Sequence, residues 1–518
     1  MLVSVANERI VQWYRDRVLW TAIGVAFLLR ALPLWAWMKD GCLRDECTYL
    51  KLSHRFVDGQ GITTSAGWLW APGYPWLLSL HERFTGHAGA MKISQVAVSL
   101  LCIVLIYTLT RRVFSGSEDP RRRARITAWL YALSPHLAFF SIRLWSEVVY
   151  GTILVGVLLV LQSARESWDD TSPPKWLGQV SLTVFLALYG LVSGAPLWAA
   201  IAIGGALYLV VRSEKALSLM STGILWAGAV GVLAGICVLF RGVATYMLPI
   251  LVLGVLWGRW RQRRAWLQAC TLVSCAVLIV APYSVHATEK FGDTVISDRT
   301  MGQMMWLGNN DFEPITFDYG NGQLSRRAFK RTTETGRKPC ADRQEAISRD
   351  ECQAEAGFDW MKSNKQEFVE RMPKRVAQLV NPHSLLTRHL RWGRWKGLPQ
   401  WADEIIILVG ALSSMLVMVG GAVGLAVRGR GGTGLVFSGI LLYHVAAIAA
   451  LAGLSRYRVP LEPLLMIYAA GLLADWRGSL QVLRECRWRR WVTGIGLLLF
   501  VPLVLWNLPA GWPWWRSW

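Results

Sequence analysis

Residues 18–49 read VLWTAIGVAFLLRALPLWAWMKDGCLRDECTY. The run from Val18 to Met38 is apolar enough to cross a bilayer, and soon after it come two adjacent carboxylates, Asp45 and Glu46, followed by Tyr49. Acids placed just beyond a hydrophobic span lie where water, a lipid head group and a protein cavity meet, and ionisable groups there are functional candidates. If 45–57 is a helix, Asp45 and Tyr49 share one face while Glu46 points about 100° away, so only one carboxylate needs to face a common pocket. Capping of a short helix explains the same acids, and the stretch alone does not choose between the two. Arg30 interrupts the apolar run, Pro33 follows, and no small-residue cleavage site precedes the acids, so the run is expected to be a retained anchor.

The rest of the chain fits that beginning. Of 518 residues, 53% are hydrophobic and 17% charged, with positive mean hydropathy, which is the profile of a polytopic membrane protein. The 29 tryptophans suit membrane–water interfaces. A formal charge of +21 raises the question of nucleic acid, but the arginines fall in short runs between apolar segments, so no nucleic-acid partner is expected. Apolar runs at 18–38, 88–110, 126–140, 142–163, 177–193, 195–211, 217–239, 243–257, 267–284, 402–427, 434–452, 460–474 and 491–507 predict an all-α bundle of about 13 transmembrane helices, or 11 to 13 if short ones merge or re-enter.

Alternating these spans puts Arg9, Arg15, Arg17, Arg111, Arg112, the 121–125 run, Arg259 to Arg264 and Arg484 to Arg490 on one side, which is therefore cytoplasmic. The acids, Arg241, the 285–401 segment and Ser455–Pro460 fall opposite. The expected organisation is an N-terminal module, 1–284, carrying a first outer loop at 39–87, then a large outer loop or cap at 285–401, then C-terminal helices at 402–518. Trp68 to Leu78 mixes aromatics with helix breakers, as in a segment lying in the interface plane or folded onto the bundle. Within the large loop, 359–380 has helical periodicity, with Phe368, Met372, Val376 and Leu379 on one face.

The nine cysteines show no metal-site spacing. In an oxidising compartment Cys42 with Cys47 and, more readily, Cys340 with Cys352 could form disulfides, though connectivity is not deducible. Arg143 and Glu147 stand four apart at the outer mouth of a span; an exposed ion pair would contribute only about 0.2 to 0.5 kcal/mol, which favours a polar cavity. Arg241 joins two apolar runs and either snorkels to head groups or holds one phosphate. In Arg456-Tyr457-Arg458 the guanidiniums suit a phosphate, although an extended chain would turn them to opposite sides and let one reach a ligand. His54, His136 and His286 read as structural hydrogen bonders. No phosphate loop, nucleophile elbow, HExxH or internal repeat is present, and the missing repeat counts against a transporter.

Taken in order, Asp45-Glu46-x-x-Tyr49, Pro72-Gly73-Tyr74-Pro75, Glu147, Arg241 and Arg456-Tyr457-Arg458-x-Pro460 resemble the GT-C glycosyltransferases, in particular the bacterial branch similar to protein mannosyltransferases, the lipid A aminoarabinose transferase and the Rgt-type lipopolysaccharide glycosyltransferases. Pro282-Tyr283, Gly308-Asn309-Asn310 and Asn381-Pro382 add to the likeness. The resemblance implies a multi-pass enzyme of the inner (plasma) membrane with its site facing the periplasm or outside. It implies transfer of a hexose or pentose from a polyprenyl-phosphate-linked donor to a hydroxyl of a lipid, glycan or protein acceptor, by an inverting displacement. Asp45 would be the base; Glu46, Tyr49, Glu147 and Arg143 would serve the acceptor or support the base; Arg241, Arg456, Tyr457 and Arg458 would hold the donor phosphate. Where the aminoarabinose enzyme has Glu-Lys-Pro, this chain reads Trp70-Ala71-Pro72, so a metal cofactor stays undetermined. The competing readings are an O-antigen ligase or polymerase, which would place basic residues and histidines in a late loop, and a lipid or polysaccharide transporter.

Overall fold

The computed structural model describes residues 13–37, 42, 45–64, 68–166, 222–311, 340, 343, 345–391 and 399–506, and all of its long elements there are helices. In chain order they are α1 (Arg17–Trp37), α2 (Asp45–Val57), α3 (Gly73–Thr85), α4 (Met91–Val113), α5 (Pro120–Ala132), α6 (Pro135–Ser141), α7 (Glu147–Glu166), α8 (Thr222–Phe240), α9 (Leu248–Leu256), α10 (Arg263–Phe291), α11 (Met301–Gly308), α12 (Ala346–Ser363), α13 (Lys365–Leu379), α14 (Leu385–Arg391), α15 (Gln400–Arg428), α16 (Gly431–Ala450), α17 (Glu462–Ala474), α18 (Trp476–Glu485) and α19 (Arg487–Trp506). Among the described residues 8 helices are long and apolar enough to cross a membrane: α1, α4, α7, α8, α10, α15, α16 and α19. The chain is an all-α, multi-pass membrane protein.

The expected spans at 243–257 and 460–474 appear as the shorter apolar helices Gly242–Leu256 and Glu462–Ala474, and those at 177–193 and 195–211 lie outside the described residues. The expected span at 126–140 is two helices. Pro135 lacks the N–H that would continue α5, and the Ser134 side chain accepts from the N–H of Leu137 as the N-cap of α6. The break removes the i+4 donor to the Tyr131 carbonyl, which keeps the weak Ser134 N–H contact at 3.3 Å. Arg30, fully buried in α1, donates to the carbonyls of Ala132 (3.3 Å) and Tyr131 (3.4 Å) and to Ser99 Oγ (3.0 Å). A cation inside an anchor helix is thus spent on a helix C-terminus, where positive charge is favoured.

Side-chain contacts sort the helix ends into two sets. At one end Arg125 pairs with Asp16 (3.0 Å), Arg123 and Arg428 with Asp475 (3.6 and 2.6 Å), Arg112 with Glu166 (3.7 Å), and Arg165 donates to the Gly254 carbonyl (3.2 Å). The basic runs of the sequence therefore share one end. At the other end lie α2, α3, α11 to α14 and the turn Ser455–Arg458. Helices α7 and α8 run antiparallel, because Glu147 meets Arg241 while Gly156 touches Leu233. The chain thus leaves α7 and re-enters α8 at the basic end.

Close helix packing depends on small residues. A Cβ at Gly231 of α8 would stand 2.2 Å from the Leu272 carbonyl oxygen of α10, so the two backbones meet only because glycine is there. The described part of the first loop is folded onto the bundle, with Leu69, Tyr74 and Leu78 fully buried. Its helices α2 and α3 are joined by Ser53 Oγ donating to Glu82 (2.9 Å). The periodic stretch 359–380 breaks at Asn364 into α12 and α13. The buried row of α13 is Arg371, Arg375 and Leu379, with Phe368, Met372 and Val376 only half-buried. The two arginines turn inward because Arg371 donates to the Asn310 carbonyl (2.9 Å) and Arg375 to those of Gly308 (2.6 Å) and Ala449 (2.8 Å), which close the ends of α11 and α16.

Candidate active site

Three helix ends converge away from the basic end, and each brings the charge that its dipole favours. Asp45 opens α2 and Glu147 opens α7, both at N-termini, while Arg241 follows the C-terminus of α8. Arg456 comes from the 3-10 turn Ser455–Arg458 between α16 and α17.

Arg456 Nη1 donates to Asp45 Oδ2 at 2.5 Å, and its Nε stands 3.2 Å from Glu147 Oε1. Arg241 Nη2 donates to that same Oε1 at 2.5 Å and its Nε to Ser146 Oγ at 3.2 Å. Tyr49 Oη stands 3.4 Å from Ser146 Oγ. Two acids and two guanidiniums therefore form one chain of contacts, Asp45 to Arg456 to Glu147 to Arg241. Glu147 is almost wholly buried and Asp45 is the most accessible member, at 28% of its side chain. Burial acts against the charge of Arg456, but Asp45 and Glu147 outweigh it and hold the guanidinium well above its usual range. Arg241 likewise is raised by Glu147 against the effect of burial. Burial, with Glu147 adding to it, pushes the Tyr49 phenol up to about 12, so it stays a neutral hydroxyl at physiological pH.

The first loop fixes this cluster through its aromatic stretch. Tyr49 lies edge-on to Trp70 (5.3 Å) and Tyr74 (4.9 Å), and Tyr74 donates to Gln95 Oε1 at 2.8 Å. A Cβ at Gly73 would stand 2.6 Å from Phe240 Cδ2 and 2.9 Å from the Leu239 carbonyl oxygen, so glycine lets α3 seat directly on the end of α8 that carries Arg241. The Cys42–Cys47 disulfide brackets the two acids, and Cys340–Cys352 closes a second ring in the 285–401 segment.

The other expected residues are placed differently. Glu46 is buried and accepts from the Leu144 N–H (2.9 Å), with Arg143 3.7 Å away. Residues 142–146 are not helical, so the four-residue spacing of Arg143 and Glu147 does not put them on one helix face; Arg143 turns to Glu46 and Glu147 to Arg241 and Arg456. Arg458 faces away from Arg456, in a 3-10 turn and not the extended chain for which that divergence is expected. Its guanidinium is buried against Glu462 (2.9 Å), Ser414 Oγ (3.0 Å) and the Asn381 carbonyl. Tyr457 donates to Met304 Sδ (3.5 Å) over the site. His136 is a buried structural hydrogen bonder, between Ser384 and the Gly410 carbonyl.

Two groups at the site escape a reading of the sequence. Ser146 bridges Tyr49 and Arg241, and only its position beside Glu147 hints at this. Asp298, whose Oδ2 accepts from the Gly242 N–H at 3.2 Å, has no signal in the sequence at all. Among the described residues no group of three or more His, Cys, Asp or Glu side chains is set out to hold a metal, and Asp45, Glu46 and Glu147 each face a guanidinium.

No family model and no curated protein matches the chain. Among solved structures it is similar to the oligosaccharyltransferase AglB from Archaeoglobus fulgidus in complex with an inhibitory peptide and a dolichol-phosphate, at 14% identity and a TM-score of 0.48, over 96% of this chain and 56% of that one. It is similar also to the apo form of the oligosaccharyltransferase from that organism, at 15% identity and a TM-score of 0.47, over 96% of this chain and 56% of that one. The chain thus spans about half the length of the archaeal enzymes to which it is similar.

Proposed function

We propose that the chain is an integral-membrane glycosyltransferase of the GT-C type that moves a hexose or pentose from a polyprenyl-phosphate donor to a hydroxyl of a cell-envelope lipid, glycan or protein. The observation that carries this reading is the 2.5 Å bond between Asp45 and Arg456, residues 411 positions apart that supply a base and a phosphate-binding cation at one point. Transfer of a sugar from a lipid phosphate needs both: something to take the proton of the attacking hydroxyl, and positive charge for the departing phosphate.

In the proposed step the acceptor oxygen attacks the anomeric carbon as its proton passes to Asp45. The bond between that carbon and the phosphate oxygen breaks, and the lipid phosphate leaves toward Arg456 and Arg241. One displacement inverts the anomeric centre. Arg456 is shared between Asp45 and Glu147, so an incoming phosphate competes for a guanidinium that otherwise covers the base. Donor arrival then uncovers Asp45, and the acceptor is activated only when there is a sugar to receive. Glu147 holds both arginines, Tyr49 and Ser146 steady Arg241, and Glu46 with Arg143 braces the start of α2. Arg458, fully engaged with Glu462, Ser414 and Asn381, supports the turn that presents Arg456 and Tyr457.

The basic end faces the cytoplasm of the inner (plasma) membrane and the site faces the periplasm or outside, with 285–401 as a cap between the helices of 1–284 and 402–518. The basic runs gathered at one end support this orientation, as do disulfides on the loops opposite, since a thiol-rich cytosol would reduce them. The test is to incubate the purified full chain with labelled polyprenyl-phosphate sugars and envelope extract. Release of polyprenyl phosphate coupled to labelling of an acceptor is expected; donor left intact across hexose, pentose and amino-sugar forms would reject the reading.

A further inference from the structure

Residues 295–300, between α10 and α11, are fastened on three sides. Ser297 Oγ donates to the Val238 carbonyl in the last turn of α8 (2.5 Å), Tyr283 of α10 donates to the Ser297 carbonyl (2.8 Å), and the Arg299 N–H donates to the Leu69 carbonyl of the first loop (2.8 Å). Asp298 lies between these anchored neighbours and is aimed at the turn that follows Arg241, where its Oδ2 accepts from the Gly242 N–H. A Cβ at residue 242 would stand 2.5 Å from Asp298 Oδ1 and 2.8 Å from its Cγ, so a side chain there would push the carboxylate out of its present seat. The same carboxylate is within electrostatic reach of Arg241.

We propose that Asp298 is a positioning residue that holds the Arg241 turn in place and whose negative charge limits how tightly the site takes an anionic phosphate. This rests on the glycosyl-transfer reading and extends it to the control of donor affinity by pH. The charged groups facing Asp298 are Arg241 from the end of α8 and Asp350 from α12; Arg299 beside it is engaged by Asp293 (3.0 Å) and Glu351 (3.4 Å). Burial pushes the Asp298 carboxyl up to about 6; Asp350 adds to the rise, against the Gly242 N–H and Arg241. Above that pH Asp298 is charged and opposes a phosphate, and below it the opposition lifts.

The experiment is equilibrium binding of farnesyl phosphate to the purified full chain, with farnesol as the phosphate-free control, for wild type, Asp298→Asn and Asp298→Ala at pH 7.5 and pH 5.0. Asn still accepts from Gly242 but carries no charge, whereas Ala loses both. At pH 7.5 Asn is expected to bind about fivefold tighter than wild type, the order for one unit charge removed near an anion at a partly shielded site. Ala is expected to bind more weakly than Asn, and at pH 5.0 wild type approaches Asn. Farnesyl methyl phosphate, a diester that stays a monoanion at both pH values, is titrated in parallel, so that the change in the ratio reports Asp298 and not the ligand. Equal affinities of wild type and Asn at both pH values would overturn the role of Asp298. A wild type that binds farnesol as well as farnesyl phosphate would overturn the phosphate site, and this inference with it.

Discussion

Exchanging Asp45 for Asn removes one charge and one proton acceptor while keeping the shape of the side chain. The pair with Arg456 is mostly buried, with 28% of the Asp45 side chain and 17% of Arg456 exposed, so its loss costs the fold about 1 to 3 kcal/mol. Arg456 keeps Glu147 at 3.2 Å and stays in place. The unfolding midpoint should therefore move by no more than a few degrees. Turnover is a different matter. A positioned general base contributes about 10²- to 10⁴-fold, or about 2.7 to 5.5 kcal/mol at 1.36 kcal/mol per decade. Donor affinity should hold or improve, because a phosphate no longer competes with Asp45 for Arg456. The assay is initial-rate transfer from a labelled polyprenyl-phosphate sugar by the purified chain in lipid nanodiscs, with both substrates saturating. A kcat within tenfold of wild type would refute Asp45 as the base; a kcat lost together with donor binding or fold would refute the division of labour between Asp45 and Arg456.

Arg456→Ala should raise the donor KM with little change in unfolding midpoint, whereas Arg458→Ala should strand the buried Glu462 and cost about 3 to 5 kcal/mol of stability; thermal unfolding alongside donor titration separates them, and the reverse pattern would exchange their roles. Gly73→Ala drives a methyl group into Phe240 and the Leu239 carbonyl, and should cost about 1 to 3 kcal/mol and loosen Arg241; an unfolding midpoint and donor affinity equal to wild type would show that α3 does not seat α8. Cys340 and Cys352 should resist maleimide on intact cells until a membrane-impermeant phosphine is added from outside; labelling without reductant, or protection that survives it, would contradict the orientation.

Much of this site can be read from residue order. Asp45 and Tyr49 share a helix face because 45–57 is helical from its acidic first turn, and Arg456 is the one arginine of its pair that meets Asp45. What the chain hides is contact at long separation. Glu46 looks as reactive as its neighbour until Leu144 and Arg143 are seen to occupy it. Ser134-Pro135 caps and starts a new helix, but hydropathy averages across it and merges two helices into one. The inward arginines of α13 defeat a periodicity argument, because their partners are carbonyls at the ends of α11 and α16 rather than apolar side chains. Asp298 is written among ordinary loop residues, and its meaning lies in a glycine 56 positions away.

The ring closed by Cys42 and Cys47 has a bearing on when the protein becomes competent. Its two sulfurs lock the backbone on either side of the acid that meets Arg456, so the final shape of that loop is a product of oxidation as well as of folding. A newly made chain surrounded by small thiols would carry the right residues on an untied loop. On the proposed orientation, export of that loop and its oxidation are steps in completing the site, and the acid stays on an untied loop until both have happened.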